Sequence, residues 1–524
     1  MRITQETEAA VTDLLNAMTD EEKVALCHAD SLFTVPGVPR LGIGEVVMSD
    51  GPHGVRPEFE RDDFVFLDRP EDACTYQPTG TALAATWDPA LARRFGEMLG
   101  SEARARGKDI ILGPGINIIR NPLCGRNFEY MSEDPCLISG LVPEVVQGIE
   151  SQDVAACVKH FALNNQELDR LEVDVEVSRR ALHEIYLKGF YAAVTAGGAS
   201  TVMGAYNQYE GTHCCHHDYL LNEVLKRRWG FAGAVISDWG GARDGEQAIF
   251  GGLDIEMCTS CAGYDAYFLA DAFLKRVKTD PAARAALEDK ARRILRVIFS
   301  VRKTDPARLT GEFNTPAHQQ TAYDIAAGSM ILLKNEGGLL PLSGGGTLLV
   351  TGPNADRQHA DGGFSSGIRA LYEITPLAGI RDRLGDRFAV EYLPDDAPDL
   401  LTRAAEAAYV IYCGGLSHAD DTEAYDRKHM DLPGDQNARI AALLAVNPRT
   451  VTVLTAGSPV TMPWIAAAPA VVWTWYAGME GGHVLADILS GAVCPSGKLP
   501  FTLPRAYADT PVARYGEYRE GHCR

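Results

Sequence analysis

The stretch GAVISDWGG, residues 233–241, joins an apolar run to a carboxylate, a tryptophan and two glycines. Its residues AVIS have the composition of a buried strand in a parallel sheet, and the glycines suit the loop that follows. Asp238 stands at the point where this strand ends. Because the same arrangement recurs along the chain, this stretch sets the fold that we predict.

Four earlier stretches repeat the arrangement, namely VVMSDGPHG (46–54), DIILGPGINI (109–118), VAACVKHFALNN (154–165) and STVMGAYNQ (200–208). Amphipathic helical stretches lie between them, such as ALARRFGEMLGSEARARG, which ends at Gly107. A strand followed by a helix, repeated, is typical of a parallel α/β architecture. A (β/α)8 barrel, which takes about 250 residues, is one closed form of that architecture.

A second α/β series follows residue 322. The segment 301–322 is polar and contains two prolines, so we interpret it as a linker between a domain at 1–300 and another at 323–524. The apolar strands of the second series are TLLVTGPNA, RFAVEYLP, AAYVIYCGG, TVTVLTAGSP and AVVWTWYAG. They predict an open α/β sheet in which ligands meet the C-terminal ends of the strands.

The bulk composition argues against several classes of protein. The 524 residues are too many for one ordinary core, and the net charge of −21 disfavours a nucleic-acid partner, because phosphate binding needs clustered Lys and Arg. No run of about 18 apolar residues predicts a membrane span, and the charged N-terminus has no signal-peptide core. The scattered cysteines do not form two CxxC motifs at zinc-ribbon spacing, so we expect reduced thiols and a cytoplasmic protein.

The sequence motifs also give no support for a bound nucleotide or metal ion. The glycine-rich stretches GGFSSG (362–367) and SGGGTLL (343–349) match neither phosphate-binding pattern, so we expect no nucleotide cofactor. The cluster CCHH (214–217) consists of adjacent residues, which rarely converge on one ion, so we expect no metal.

Polar residues follow the apolar runs of the first series. They are Asp50, Lys159, His160, Tyr206 and Asp238. In a (β/α)8 barrel the C-terminal ends of the strands form the catalytic face. Loops are polar in any case, so each residue alone also fits an ordinary loop position. Their recurrence at the same point of each unit favours a shared site.

Asp238 suits a sugar site. An aromatic ring stacks on the C–H face of a sugar while a carboxylate attacks its anomeric carbon, and Trp239 supplies such a ring. The same aspartate also fits the N-cap of a following helix, and its own segment does not separate the two interpretations.

A glycosidase needs a second carboxyl group, and the acidic stretch GGLSHADDTEAYDRKHMDLP (414–433) offers four. They are Asp420, Asp421, Glu423 and Asp426, and their spacing does not choose among them; a solvated acidic loop is the alternative. Arg56, Arg126 and Arg170 add donors that would orient sugar hydroxyls, or else form surface salt bridges.

Taken together, the motifs resemble glycoside hydrolase family 3, in particular its β-glucosidase branch. The matching stretches are SDGPHGVR, LGPGINIIRNPLCGRNFEYMSEDP, VKHFALNNQE, VMGAYN, ISDWGG, GLDIEM, AAGSMILLKNEGGLLPL, VTGPNAD, YDRKHMDLP and PSGKLPFTLP. They run in the family's order from about residue 10 to about residue 510. The N-acetylglucosaminidase branch is disfavoured because ALNNQ follows KHF here.

The resemblance implies a (β/α)8-like barrel followed by an α/β sandwich, an active site between them, and retention by double displacement. It implies Asp238 as the nucleophile and Glu423 as the acid/base. The implied sugar-binding residues are Asp50, Arg56, Arg126, Lys159, His160, Arg170, Tyr206, Trp239 and a serine of GGFSSG, Ser365 or Ser366. The implied substrate is a small β-glucoside or oligosaccharide.

Two features depart from the family pattern. Ala424 stands beside Glu423 where the family has glycine, and the chain stops at RYGEYREGHCR, so we expect no fibronectin-like C-terminal domain. A β-xylosidase or α-L-arabinofuranosidase on the same scaffold, and an inert sugar-binding protein, are the alternative functions. The sequence leaves the oligomeric state open, a homo-oligomer included.

Overall fold

The computed structural model describes residues 3–58, 61, 70–258, 263, 266–514 and 522–523. The expectation of no fibronectin-like domain rests on the end of the chain, and most of that end, 515–521 and 524, lies outside the described residues.

The first half of the chain alternates helices with short strands. Its α-helices are α1 (Gln5–Ala17), α2 (Asp20–Ala25), α3 (Gly80–Ala85), α4 (Pro89–Ala105), α5 (Pro135–Glu150), α6 (Arg179–Ala181), α7 (Lys188–Thr195), α8 (Gly245–Phe250), α9 (Asp271–Val277) and α10 (Pro281–Ser300). Two π-helices span Leu182–Tyr186 and Tyr219–Arg228. Its strands are β1 (Thr34–Val35), β2 (Val46–Ser49), β3 (Ile110–Ile111), β4 (Ala155–Phe161), β5 (Asp174–Val175), β6 (Thr201–Gly204), β7 (Gln208–Tyr209), β8 (Thr212–His213) and β9 (Ala234–Ser237).

The second half repeats the alternation with longer strands. Its helices are α11 (Pro316–Ser329), α12 (Pro376–Leu384), α13 (Leu400–Glu406), α14 (Gln436–Val446), α15 (Gly481–Ser490) and α16 (Pro511–Arg514). Its strands are β10 (Ile331–Asn335), β11 (Gly346–Thr351), β12 (Phe388–Tyr392), β13 (Tyr409–Gly415), β14 (Thr450–Thr455), β15 (Ala470–Trp473) and β16 (His522–Cys523).

Several long helices begin with the same two-residue signal. An aspartate or threonine caps the helix with its side chain, and proline occupies the first helical position, where its missing N–H costs nothing. The capping residues of α4, α5, α10, α11 and α12 are Asp88, Asp134, Asp280, Thr315 and Thr375. These local signals fix where each helix starts, and therefore where the preceding loop ends.

The first sheet has the order β1-β2-β3-β4-β6-β9 and is parallel from β2 onward. All five strands predicted from the first series form in it. Single parallel bridges extend it from Ile236 to Ile255 and from Glu256 to His28, so the sheet curls back towards the segment that precedes β1. Within the described residues, these two bridges are the strand pairing that continues the sheet beyond β9. Closure of the barrel by eight strands stays a prediction. A smaller sheet has the order β16-β5-β7-β8.

The second sheet, β10-β15-β14-β13-β11-β12, lies between two layers of helices. Alternate residues of its strands face opposite cores: Val410 and Tyr412 pack with α13 and α14, whereas Ile411 and Cys413 pack with α12 and α15. Burial on both faces explains the continuous apolar runs of these strands. The predicted strands all form, and β10, which the strand pattern did not single out, adds an antiparallel edge.

The segment 301–322 is held against the first sheet. Leu309 donates its backbone N–H to the Asp153 carboxylate at 2.8 Å, and Arg308 donates to the Asp153 carbonyl at 2.9 Å. Residues 316–322 belong to α11, because Thr315 and Pro316 form a helix-start signal. The polar composition that suggested a linker thus includes the exposed face of a helix.

Three observations concern the predicted absence of a membrane span, of disulfides and of a metal site. No helix of the described residues is both long and apolar enough to cross a bilayer. The ten cysteines whose placement is described are free thiols. Among the described residues no group of three or more His, Cys, Asp or Glu side chains is arranged to hold a metal ion.

The carboxylate of Asp109, just before β3, is fully buried and accepts from three donors. They are the Val47 N–H at 2.8 Å, Lys303 Nζ at 2.7 Å and Arg308 Nη1 at 2.7 Å. Removing one partner of a buried charge pair costs about 3–5 kcal/mol, because the other charge is left without compensation. Asp109→Ala should therefore lower the urea midpoint of unfolding markedly. Glu184→Ala, which removes an exposed pair with Arg180, is the control, and equal midpoints for both variants would contradict this prediction.

Candidate active site

The polar side chains predicted at the strand ends meet at one end of the first sheet. Asp50 follows β2, Lys159 and His160 end β4, Tyr206 follows β6, and Asp238 follows β9. They line one cavity of about 590 Å³, a volume typical of small-molecule sites. The lining residues are Asp50, Arg56, Arg126, Lys159, His160, Arg170, Leu171, Met203, Tyr206, Asp238, Trp239, Gly240, Arg243, Cys258, Phe364, Ser365 and Glu423.

The second half of the chain closes this cavity from the other side. Glu423 comes from the acidic loop after β13, and Phe364 and Ser365 come from a short helical turn before α12. Arg56 Nη1 donates to the Ser365 carbonyl at 2.8 Å and so links the two sides directly. Ser366, the other candidate of that turn, is fully buried and donates to the Gly363 carbonyl, so Ser365 is the serine in the cavity.

Opposite charges are paired across the floor of the cavity. Lys159 Nζ lies 3.6 Å from Asp50 and 3.4 Å from Glu129, and Arg126 Nη2 lies 2.7 Å from Glu129. Burial by itself lowers the pKa of Lys159, but the two carboxylates outweigh it and raise the pKa. The lysine is therefore a fixed cation, able to donate to a substrate hydroxyl or carboxylate.

Asp238 is buried beside a neutral histidine. Its Oδ1 accepts the N–H of Trp239 at 2.8 Å, and its Oδ2 lies 3.8 Å from His160 Nε2. Burial and the charges of Arg126 and Lys159 hold the pKa of His160 well below its usual value. Burial raises the pKa of Asp238 to about 6, opposed by the charge of Arg170 and assisted by that of Glu423.

Glu423 is held by two arginines and a serine. Its Oε1 lies 2.8 Å from Arg170 Nη1 and 3.5 Å from Arg126 Nη1, and its Oε2 accepts from the hydroxyl and the N–H of Ser365. Burial raises its pKa, but the arginines outweigh burial and bring the pKa down to about 2. In this arrangement Glu423 is ionised and Asp238 is the more readily protonated of the two carboxyl groups.

The other acidic residues of the loop have different positions. Asp421 is fully buried within the second unit and accepts from Gly457, Ser458 and Tyr476. Asp420 accepts from Ser417, within its own turn. Neither lines the cavity.

Asp426 bridges the loop to the first unit. Its carboxylate accepts the backbone N–H groups of Gly125, Glu167 and Leu168, each at 3.0 Å. Of the four acidic candidates, Glu423 is therefore the one that the structure brings to Asp238.

Aromatic rings form part of the wall. The Tyr206 hydroxyl donates to the Trp239 carbonyl at 2.9 Å, and the Arg170 guanidinium lies 5.0 Å from the centre of the Tyr206 ring. Trp239 is fixed by its Nε1, which donates to the Leu32 carbonyl, and by the nearby ring of Phe33. These contacts hold the rings in place, as stacking on a sugar face requires.

Sequence reasoning missed some residues at the cavity. Glu129, which pairs with Lys159 and Arg126, lies inside the stretch CGRNFEYMSEDP that was singled out for its arginine. Phe364 lies within GGFSSG and is 69% exposed. Cys258, in the lining, begins the single motif CTSC (258–261), whose other three residues lie outside the described residues. Phe364, an apolar residue next to Gly363, has no local sequence feature that predicts a position at the cavity.

The cluster CCHH lies behind the cavity wall. Cys214 and Cys215 are buried, and His216 Nε2 accepts the N–H of Arg243 at 3.1 Å. His217 Nε2 hydrogen-bonds to the Tyr209 carbonyl. Both imidazoles are thus used to fix the backbone around β7 and the loop after β9.

Both halves of the chain match models of one protein family. Residues 66–297 match the glycosyl hydrolase family 3 N-terminal domain, and residues 330–523 match the glycosyl hydrolase family 3 C-terminal domain. The chain belongs to glycosyl hydrolase family 3. Both sides of the cavity fall within the matched residues, apart from Asp50 and Arg56.

Individual relatives extend over almost the whole of this glycosyl hydrolase. It is 45% identical to the β-glucosidase BoGH3A of Bacteroides ovatus over 98% of its own length and 74% of the relative's. It is 34% identical to the exo-α-(1→6)-L-arabinopyranosidase of Bifidobacterium longum over 99% and 70% of the two chains. The structure of β-glucosidase 3B from Thermotoga neapolitana in complex with glucose superposes with a TM-score of 0.89, at 30% identity over 98% and 79% of the chains.

Proposed function

We propose that this chain is a retaining exo-β-glycosidase that removes terminal, non-reducing β-D-glucosyl residues from β-glucosides. The observation that supports this most directly is the meeting of Asp238 and Glu423, from different halves of the chain, in one cavity with fixed cationic donors. The glucose bound to the Thermotoga relative and the β-glucosidase from Bacteroides support a glucosyl substrate.

In the proposed mechanism the sugar hydroxyls are held by Asp50, Lys159, His160 and Arg126. Asp238 attacks the anomeric carbon while Glu423 gives its proton to the glycosidic oxygen, which leaves as the alcohol. Glu423 then takes a proton from water, and the resulting hydroxide displaces Asp238 from the glycosyl-enzyme. Glu423 must therefore gain a proton before the first step, and substrate binding would have to weaken its contacts with Arg170 and Ser365.

We further infer that the first unit is a (β/α)8-like barrel ending near residue 300. The second would begin near residue 323, with 301–322 as the connection. The parallel order of the first sheet and the bridges that continue it support the barrel.

Removal of the two carboxyl groups tests the roles. Asp238→Asn should abolish hydrolysis of an aryl β-glucoside, because no covalent glycosyl-enzyme can form. Glu423→Ala should lose general-acid catalysis, usually worth about 10²–10⁴-fold, and azide should restore turnover of an activated aryl glucoside as the β-glucosyl azide. Asp421→Ala, a buried carboxyl group outside the cavity, should show no azide-dependent turnover. Azide rescue of Asp421→Ala instead of Glu423→Ala would move the acid to Asp421.

The raised pKa of Asp238 predicts the acid side of the pH profile. The nucleophile acts in its ionised form, so kcat/KM should fall as the pH drops through about 6, by about tenfold per pH unit below that value. The profile of kcat/KM for an aryl β-glucoside at constant ionic strength measures this. A profile that stays flat down to about pH 4, near the ordinary pKa of aspartate, would contradict it.

The mouth of the cavity is apolar and is the expected position of the aglycone. Phe364 is 69% exposed and Leu171 is 40% exposed, and both line the cavity. Phe364→Ala should raise KM about fivefold for aryl glucosides, which corresponds to about 1 kcal/mol of lost apolar contact, and should leave methyl β-glucoside unchanged. Tyr191→Ala, an exposed aromatic outside the cavity, is the control. An equal change for both substrates would argue against contact with the aglycone.

The arabinopyranosidase from Bifidobacterium longum favours one alternative, a pentoside substrate. Side-by-side kinetics on nitrophenyl β-glucoside, β-xyloside, α-L-arabinofuranoside and α-L-arabinopyranoside separate the two. A higher kcat/KM on any pentoside than on the glucoside would replace the proposed substrate while leaving the mechanism in place.

A further inference from the structure

Glu167 is a buried carboxylate beside Glu423 that the proposed steps do not use. It lies on the loop after β4, and its side chain is 0% exposed. Ionisable groups that face it are Arg170 on its own loop, Arg126, Cys124 and Tyr130 on the loop after β3, and Glu423 on the acidic loop. A carboxylate in such a place needs a partner for its charge.

One nitrogen atom joins Glu167 to the acid/base. Arg170 Nη1 lies 2.7 Å from Glu167 Oε2 and 2.8 Å from Glu423 Oε1. Nη1 carries two hydrogens, so this one nitrogen can donate to both carboxylates, and the positive charge of Arg170 is shared between them. Since like charges at this range disfavour each other's ionisation, the charge of Glu167 favours protonation of Glu423.

The same carboxylate grips the backbone next to Glu423. Glu167 Oε2 accepts the N–H of Ala424 at 2.8 Å. Ala424 has a φ of 74°, in the left-handed region, where the Cβ of alanine costs about 1–2 kcal/mol. The turn at Ala424 is therefore strained, and the hydrogen bond to Glu167 helps to hold it.

The acidic loop that carries Glu423 in turn fixes Glu167. Its backbone N–H, together with those of Gly125 and Leu168, donates to the Asp426 carboxylate. The side chain of Glu167 therefore accepts from the backbone of Ala424, and the backbone of Glu167 donates to the side chain of Asp426. A rigid support of this kind places a side chain within the tolerance that catalysis demands.

The charge of Glu167 acts on Glu423 only above the pKa of Glu167, because a protonated carboxyl group carries no charge. Burial raises the pKa of Glu167 to about 7, with Arg170 and Arg126 opposing and Glu423 assisting. The pKa of Glu423 is about 2 because its arginines outweigh burial. A general acid must hold a proton in the working pH range, so the negative charge of Glu167, present above about pH 7, favours the reactive form of Glu423.

We propose that Glu167 is the positioning residue of the acid/base: it holds the strained Ala424 turn and shares Arg170 with Glu423, so that Glu423 more readily takes up the proton that it delivers. This inference rests on the proposed role of Glu423. Glu167 itself touches neither the glycosidic oxygen nor the anomeric carbon in this scheme.

Glu167→Gln tests the charge, because it keeps the size of the side chain. The kcat/KM for an alkyl β-glucoside, whose leaving group needs a proton, should fall about tenfold or more. The value for 2,4-dinitrophenyl β-glucoside, whose leaving group needs none, should change less than about threefold. Without the charge of Glu167, Arg170 lowers the pKa of Glu423 further, so the alkaline fall of kcat/KM should begin about one pH unit lower.

Companion variants separate charge from support. Glu167→Asp keeps the charge but is too short to hold Ala424 in the same way, so the alkaline limb should stay in place while kcat falls. Ala424→Gly removes the strain, so Glu167→Ala should cost less activity in that background than alone. Glu172→Gln, an exposed glutamate of the same loop, is the matched control and should behave as the unaltered enzyme.

The outcomes distinguish this inference from the proposed function. If azide rescues Glu423→Ala but Glu167→Gln lowers both substrates equally, or leaves the alkaline limb unmoved, the positioning role is wrong and the function stands. If azide fails to rescue Glu423→Ala, the acid/base assignment falls and this inference falls with it. If Glu167→Gln does not fold, an alkaline limb that moves in Glu167→Asp overturns the charge argument.

Discussion

The guanidinium of Arg170 lies between carboxylates that come from different halves of the chain, Glu167 from the first and Glu423 from the second. Taking such charges out of water costs several kcal/mol each, and only close pairing repays it. The site therefore exists only when both units are correctly placed around this arginine. A buried ionic network is a weak source of stability, so its presence here is better explained by the chemistry of the cavity.

The same network sets which carboxyl group holds a proton. Arg126 and Arg170 favour ionisation of Glu423, while burial favours protonation of Asp238. Double displacement needs the reverse assignment, since the nucleophile must be ionised and the acid protonated. A sugar between the two carboxyl groups would remove water and rearrange the contacts of Glu423. Under the proposed mechanism, the protonation of Glu423 would therefore be coupled to substrate binding, because the resting arrangement favours its ionised form.

Local patterns predicted the strands and many helix boundaries well. The five strands of the first series and the five of the second all form, since apolar runs ended by glycine have few other solutions. Helix α4 covers most of the predicted stretch ALARRFGEMLGSEARARG and begins at the proline of its Asp-Pro signal. Strand β10 lacks a continuous apolar run because it is only partly buried, and residues 316–322 are polar because one face of α11 is exposed.

The sequence alone determined the types of side chain at the strand ends and, through its motifs, the family and many of the residues of the cavity. It did so because strand periodicity, turns and helix caps depend on neighbours in the chain. Only the tertiary structure showed that Glu423, and neither Asp421 nor Asp426, lies in the cavity with Asp238, and separated Ser365 from Ser366. It also revealed Glu129 and Glu167 as partners of the arginines. Those distinctions depend on contacts between residues up to about 300 positions apart, and no local pattern records which way a loop side chain points.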